Sequence, residues 1–272
     1  MTVDGTMLFV GGGKMANALI AGLLDSGTPG AAIHVVEPDA DGRTRLGQQG
    51  VRPVSEVEGL PGDLSPRVVI LAVKPQAMDD VLPPYARFVG PETVFLSVAA
   101  GRTIASLARH LDDNAAIVRS IPNTPAAVRR GMTVLCANDR VTAEQRTACD
   151  ELLRGVGDTG WVADEDLMDA ATAVSGSGPA YVFHMIESLA RAGVDAGLPE
   201  DLAGRLAVNT VAGAGALAQQ SDEAPSQLRR NVTSPGGTTE AALDVLMTDD
   251  ALAHLFSRAV AAATRRSKEL AG

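Results

Sequence analysis

The chain has 272 residues, 46% of them hydrophobic, which is enough for two domains or one large one with a full apolar core. Its formal net charge of −10 at pH 7 argues against nucleic acid or an anionic membrane surface as a partner, since either needs a basic face to neutralise phosphates. The longest apolar runs, such as 68–73, fall well short of the roughly 18 residues that span a bilayer, and no basic and apolar leader opens the chain, so a cytoplasmic protein is expected.

Residues 7–10 form a short apolar run that leads at once into Gly11-Gly12-Gly13-Lys14-Met15-Ala16. This fits a dinucleotide-binding fingerprint: a tight turn at Gly11, a backbone able to touch a pyrophosphate at Gly13, and a small residue at Ala16 where helix packs on strand. Met15, Ala18, Leu19, Gly22 and Leu23 follow at helical spacing until Gly27 stops the helix. A second strand over 32–36 ends in Glu37, close to the roughly 20 residues past the loop at which such units carry an acid for the ribose hydroxyls. An acid there suits NAD and repels the extra phosphate of NADP; Arg43 and Arg45 lie near enough in sequence to hold that phosphate instead.

Further strands are expected at 68–73, 94–98, 116–120 and 132–136, alternating with helical segments in the manner of a doubly wound α/β sheet. In such sheets ligands bind beyond the carboxyl ends of the strands. Ala72-Val73-Lys74-Pro75 leaves one strand there, with Lys74 a cation for cofactor or substrate or a solvated loop residue. Residues 97–101, Ser-Val-Ala-Ala-Gly, end the next strand in side chains small enough to admit a flat ring near Ala99. Cys136 and Cys149 have no metal-like spacing and read as buried thiols, and His34, His110, His184 and His254 are scattered, so no metal is expected.

From about residue 164 the strand signals stop and the chain reads as helices rich in Ala, Gly and Leu. The stretch 206–218 is apolar or small almost all round, so it needs neighbours on every side, more than one chain of this size supplies. A second subunit is expected to provide them. The segment 232–240, Val-Thr-Ser-Pro-Gly-Gly-Thr-Thr-Glu, puts hydroxyls and close-approach glycines where a helix begins. Such a helix start presents N–H groups to a small carboxylate; read more plainly, it is an ordinary helix cap.

Five stretches taken in order resemble the pyrroline-5-carboxylate reductases: 9–16 (FVGGGKMA), 72–75 (AVKP), 119–125 (RSIPNTP), 175–181 (SGSGPAY) and 232–239 (VTSPGGTT). The resemblance implies an N-terminal Rossmann-like domain, here 1–163, and an all-helical substrate-binding and dimerisation domain, 164–272. It also implies a homodimer or higher oligomer, up to five dimers in a decamer. The implied activity is hydride transfer from NADPH or NADH to the imine carbon of 1-pyrroline-5-carboxylate, giving L-proline. Carried across, the imine-contacting hydroxyl falls on Thr239 and the carboxylate cradle on Ser234, Gly236, Gly237 and Thr238. Cofactor contacts fall on Gly11, Gly12, Gly13, Lys14, Met15 and Ala16, on Ala72, Val73, Lys74 and Pro75, on Ala99 and on Asn231. Glu37 and Val57 stand where relatives look small and polar, which leans the choice toward NADH used at least as well as NADPH. Lys14 replaces the Asn or Gln more often found inside the loop.

A protonated cyclic imine is already electrophilic, so such a reaction needs positioning more than a strong general acid. A related β-hydroxyacid dehydrogenase would want a lysine on the first long helix of the second domain, where this chain has Tyr181, His184, Glu187 and Arg191. Another imine reductase, or a non-catalytic NAD-binding protein, are the other readings; the latter has no use for the 232–240 loop.

Overall fold

The computed structural model describes residues 5–271, in which the chain forms two compact units. The first ends at Gly176 and also takes the residues from Ala263 on; the second is Ser177–Ala262.

The first unit is built on an eight-stranded sheet: β1 (Met7–Val10), β2 (Ile33–Val36), β3 (Arg52–Val54), β4 (Val68–Leu71), β5 (Val94–Ser97), β6 (Ala116–Ile121), β7 (Gly131–Ala137) and β8 (Gly157–Trp161). The order is β3-β2-β1-β4-β5-β6-β7-β8. The strands are parallel from β3 to β6; β7 runs antiparallel to β6, and β8 lies parallel to β7. Strands β1 and β4 are apolar at every position because both faces are covered. Along β1, Met7 and Phe9 enter one core with Ile20, Ile70 and Leu152, while Leu8 and Val10 enter the other with Val69, Phe95 and Tyr85. This is the doubly wound α/β class, with its chain reversal between β1 and β4.

The helices of this unit are α1 (Lys14–Asp25), α2 (Ala40–Gln48), α3 (Met78–Val81), α4 (Ile104–Ala108), α5 (Ala143–Arg154) and α6 (Leu167–Ala171). Helix α1 buries Ala16, Leu19, Ile20 and Leu23, and at Gly22 it lies so close to α5's end that an added Cβ would sit 2.8 Å from the Gly155 carbonyl oxygen. Gly27, at φ +94°, turns the chain out of α1. Helix α5 starts in a capping box in which Thr142 and Gln145 bond each other's backbone N–H.

The second unit holds α7 (Gly178–Asp195), α8 (Glu200–Gln220), α9 (Pro225–Asn231), α10 (Thr238–Met247) and the first half of α11 (Ala251–Ala271). Helices α7 and α8 pack through small residues: an added Cβ at Gly193 would lie 3.3 Å from that of Ala203. Helix α7 has no buried residue, and in α8 only Ala203 and Ala207 are buried. The stretch 206–218, expected to be enclosed, is not enclosed by its own chain: Leu206, Val208 and Leu217 are each about half exposed. Among the described residues no helix is long and apolar enough to cross a membrane.

Candidate active site

Two groups of predicted site residues emerge, one in each unit. In the first, Gly11 follows β1 at φ +94°, a conformation glycine adopts without strain, and its N–H donates to Val36 O at 2.9 Å. Its missing Cβ is a requirement of packing as well, since one built there would meet Ala72 O at 2.9 Å and a Val73 methyl at 3.0 Å. The loop is thus seated on the segment that leaves β4. Gly13 caps α1, and an added Cβ there meets nothing within 4 Å, so the loop's outer face is open where the helix N–H groups emerge. Lys14 is exposed at the first turn, Met15 is half-buried, and Ala16 is fully buried against the sheet. Asn17 occupies two loop carbonyls, its Nδ2 donating to Gly12 O at 2.5 Å and to Gly13 O at 2.9 Å.

Glu37 closes the other side of this loop. Its Oε2 accepts the Gly12 N–H at 2.8 Å and its Oε1 accepts the Asp39 N–H at 2.8 Å. The acid is therefore a structural brace of the fingerprint as well as a candidate for ribose hydroxyls, for which each oxygen keeps a further lone pair. Arg43 stands beside it, Nη1 donating to Glu37 O at 2.9 Å and Pro38 O at 2.6 Å, whereas Arg45 is exposed and reaches Asp39 only at 3.9 Å. Val57 is buried in the apolar core with Val36 and Leu60. Its side chain packs there instead of facing a ribose, which leaves Glu37 and Arg43 as the charged groups beside the loop. The surroundings fit a dinucleotide: an open helix start for a pyrophosphate, and an acid beside it.

Beyond β4, Ala72 N–H donates to Val10 O at 2.9 Å, Lys74 is exposed and Pro75 opens a short 3-10 turn into α3. Beyond β5, Ala99 is buried, with its N–H directed to Ser97 Oγ at 3.3 Å, and Gly101 takes φ +72°. Asp79 in α3 bonds both Arg102 and His110, and the Arg102 guanidinium, more than the imidazole, holds its carboxyl below the usual carboxylate range.

In the second unit, Gly236 has φ +71° and Gly237 caps α10. Gly237 N–H donates to Ser234 O at 3.0 Å. Gly236 N–H donates to the Glu240 carboxylate at 2.6 Å. Both glycine N–H groups are therefore engaged within the loop. The first intrahelical bond is Ala241 N–H to Gly237 O, so the donors that point out of the helix start come from Thr238, Thr239 and Glu240. The carboxylate of Glu240 on this loop was not among the sequence-based site residues. Asn231 ends α9 in a polar chain, accepting from Gln227 Nε2 at 2.7 Å and donating to Glu223 Oε2 at 2.9 Å.

Two residues of the 119–125 stretch also have roles that the sequence did not assign. Asn123 Oδ1 accepts the Met132 N–H at 2.9 Å while its Nδ2 donates to Ser175 O and Oγ, each at 3.2 Å, tying the β6–β7 turn to the π-helical turn at Thr172–Gly176. Arg119, almost wholly buried, donates to Glu165 at 2.8 Å. Among the described residues no cluster of His, Cys, Asp or Glu could hold a metal ion.

Pyrroline-5-carboxylate reductase from Pseudomonas aeruginosa is 42% identical to this chain over 264 residues, covering 97% of this chain and 96% of that protein. The chain belongs to the pyrroline-5-carboxylate reductase family. The enzyme of Synechocystis is likewise 42% identical, over 96% of both chains. Residues 165–270 match the model of the pyrroline-5-carboxylate reductase dimerisation domain, and residues 6–101 that of the coenzyme F420-dependent NADP oxidoreductases. Among solved structures, a pyrroline-5-carboxylate reductase from Coxiella burnetii superposes with TM-score 0.94 at 36% identity, covering 98% of this chain and 99% of that one. The pyrroline carboxylate reductase of Plasmodium falciparum, solved with NADP bound, gives 0.81 at 29% identity over the whole of both chains. The family's Rossmann-like sheet and helical dimerisation domain are thus both present here.

Proposed function

We propose that this protein reduces 1-pyrroline-5-carboxylate to L-proline, the last step of proline biosynthesis, taking hydride from NADPH or NADH. The observation that carries this reading is the 42% identity to a pyrroline-5-carboxylate reductase over 97% of the chain. A reduced nicotinamide nucleotide, when bound, supplies the hydride. The fingerprint residues Gly11, Gly12, Gly13, Lys14, Met15 and Ala16 hold its pyrophosphate at the start of α1, and Glu37 holds the adenosine ribose. Ala72, Val73, Lys74, Pro75 and Ala99 receive the nicotinamide half, with Asn231 as a further contact.

Ser234 and the outward N–H of Thr238 hold the substrate carboxylate at the start of α10, where the helix dipole favours an anion, while Gly236 and Gly237, their own N–H groups engaged within the loop, let it approach the backbone closely. Thr239 Oγ accepts the ring N–H of the protonated imine and so fixes the orientation of the ring above the carboxylate cradle. Since the substrate arrives protonated and leaves as an amine, no side chain has to deliver a proton in the hydride step. Residues 1–163 thus serve the cofactor and 164–272 the substrate and assembly, the latter as a homodimer or a decamer of five dimers. NADH is used at least as well as NADPH, because a 2′-phosphate meets the like charge of Glu37, with Arg43 the nearest compensating cation.

Loss of absorbance from NADH and from NADPH, followed in parallel with pyrroline-5-carboxylate and with proline identified as product, tests the reading. Absence of proline with either nucleotide overturns it.

A further inference from the structure

The segment 98–103 between β5 and α4 is tied at its start, where the Val98 N–H donates to Leu71 O at 3.2 Å and Ala99 is buried in the core. Val98, Ala99, Ala100 and Gly101 carry small or apolar side chains, and Gly101 is in the left-handed region. At the segment's far end, beyond Gly101, the anchors are the carboxylates of Asp79 and Glu165. Arg102 donates to the Asp79 carboxylate through both terminal nitrogens, Nη1 at 3.3 Å and Nη2 at a closer contact, and His110 Nε2 lies 2.8 Å from the same carboxylate. Asp79 belongs to α3, which begins three residues after Pro75, so this pair joins the segment leaving β4 to the segment leaving β5. Two residues on, the Ile104 N–H donates to Glu165 Oε1 at 2.9 Å. The same oxygen accepts Arg119 Nη1 at 2.8 Å.

Arg119 makes this second anchor unusual. Its side chain is 3% exposed, and its Nε and Nη2 are buried without a bonding partner among the described residues. A buried guanidinium is tolerated only with a partner, so Glu165 is held where it is by the charge beneath it, and a rigid carboxylate is in turn offered to the loop.

The sheet order shows which part of a cofactor this segment meets. With the glycine loop at the end of β1 and Glu37 at the end of β2, the adenosine half lies toward β2; the other half crosses the chain reversal toward β4 and β5. Resting on the reading above that a nicotinamide nucleotide binds here, we propose that Asp79 and Glu165 are positioning residues that fix segment 98–103 as a preformed surface for the nicotinamide half. Neither touches the fingerprint, so the adenosine half does not depend on them.

Titration of the full-length protein with NADH and, separately, with ADP-ribose, which lacks the nicotinamide ring, distinguishes positioning from general damage. Asp79→Asn and Glu165→Gln should each weaken NADH by about tenfold, the worth of a hydrogen bond to a charged group, while ADP-ribose binding changes less than about twofold. Amide hydrogen exchange in the peptide covering 98–104 should quicken in the same variants. Glu165→Asp, which keeps the charge, should recover part of the loss. If Glu165→Gln strands Arg119 and fails to fold, the paired change Arg119→Met with Glu165→Met removes the buried charge together with the anchor, and Asp79→Asn tests the other anchor without touching the interior. Equal losses for NADH and ADP-ribose, or no loss for either, overturn the proposal. A wild type that binds NADH but does not reduce the imine acid sinks the assigned reaction and leaves the positioning roles standing, whereas one that binds neither NADH nor NADPH sinks both.

Discussion

Replacing Glu37 by Gln removes one negative charge at the carboxyl end of β2 while keeping a side-chain oxygen for the Gly12 N–H, now bonded at 2.8 Å. A 2′-phosphate about 5 Å from that carboxylate is repelled by roughly 1 kcal/mol at the dielectric of water and about 3 kcal/mol at the value suited to a protein surface. Glu37 is half-buried and open to solvent on one side, so the lower figure sets a floor, and Glu37→Gln should raise the ratio of kcat/KM for NADPH over NADH by at least about fivefold. Glu37→Ser should move the ratio in the same direction but at a cost to both nucleotides. It also removes the acceptors of the Gly12 and Asp39 N–H groups, and hydrogen bonds to a charged group are worth about 1.5 to 3 kcal/mol each before discounting for solvent. The assay is initial rates with each nucleotide varied at fixed pyrroline-5-carboxylate. A wild type that strongly prefers NADPH, with the ratio unmoved by Glu37→Gln, would refute the placing of this acid against the ribose.

Thr239→Ala should lower kcat by up to about a hundredfold with little change in NADH affinity, because the hydroxyl acts on the imine and not on the nucleotide; near wild-type turnover counts against it. Glu240→Gln takes a carboxylate off the Gly236 N–H, which it accepts at 2.6 Å, so an incoming substrate carboxylate no longer meets a like charge. The KM for the imine acid should fall by about two- to fivefold, and a rise would show that Glu240 assists binding. Gly22→Ala gains about 1 kcal/mol of helix propensity in α1, yet its Cβ would sit 2.8 Å from the Gly155 carbonyl oxygen and 3.0 Å from the Gly155 carbonyl carbon. Backbone gives way less easily than a side chain, so urea unfolding should find the variant less stable; a more stable one would mean that α1 and α5 can part freely.

The nucleotide-binding half was legible because its signals are local. The apolar run at 7–10, the glycine spacing and the position of Glu37 survive into the structure with only a residue or so of change at the strand ends. Two strands left no such trace. Strand β3 is three residues long, carries Pro53 and pairs only with β2, and β8 is a partly exposed outer strand with glycines at both 157 and 160. Edge strands need neither alternation nor bulk, so composition hides them. The reversal of β7 likewise depends on a turn at 122–130 whose direction periodicity does not encode.

At the helix-start loop the hydroxyls and glycines are plain in the sequence, and Glu240 carries a weaker signal of the same kind. A glutamate three residues after the capping glycine is the position from which a side chain folds back over a helix start, and that spacing was available at Gly237 and Glu240. The Arg119–Glu165 pair had no such signal. It spans 46 residues and exists only because β6 brings the arginine inside, which no window along the chain reveals.

Helix α7, with no buried residue of its own and Phe183, Met185 and Leu189 uncovered, has an evolutionary consequence. If a second copy of the chain covers this face about a twofold axis, every substitution there is made twice in one interface. A change worth about 1 kcal/mol per chain then costs about 2 kcal/mol per pair, roughly a thirtyfold shift in the association constant. Such positions tolerate less drift than equally exposed ones elsewhere on the surface. In a cell expressing two versions of the chain, the weaker version would also lower the yield of pairs built with the stronger.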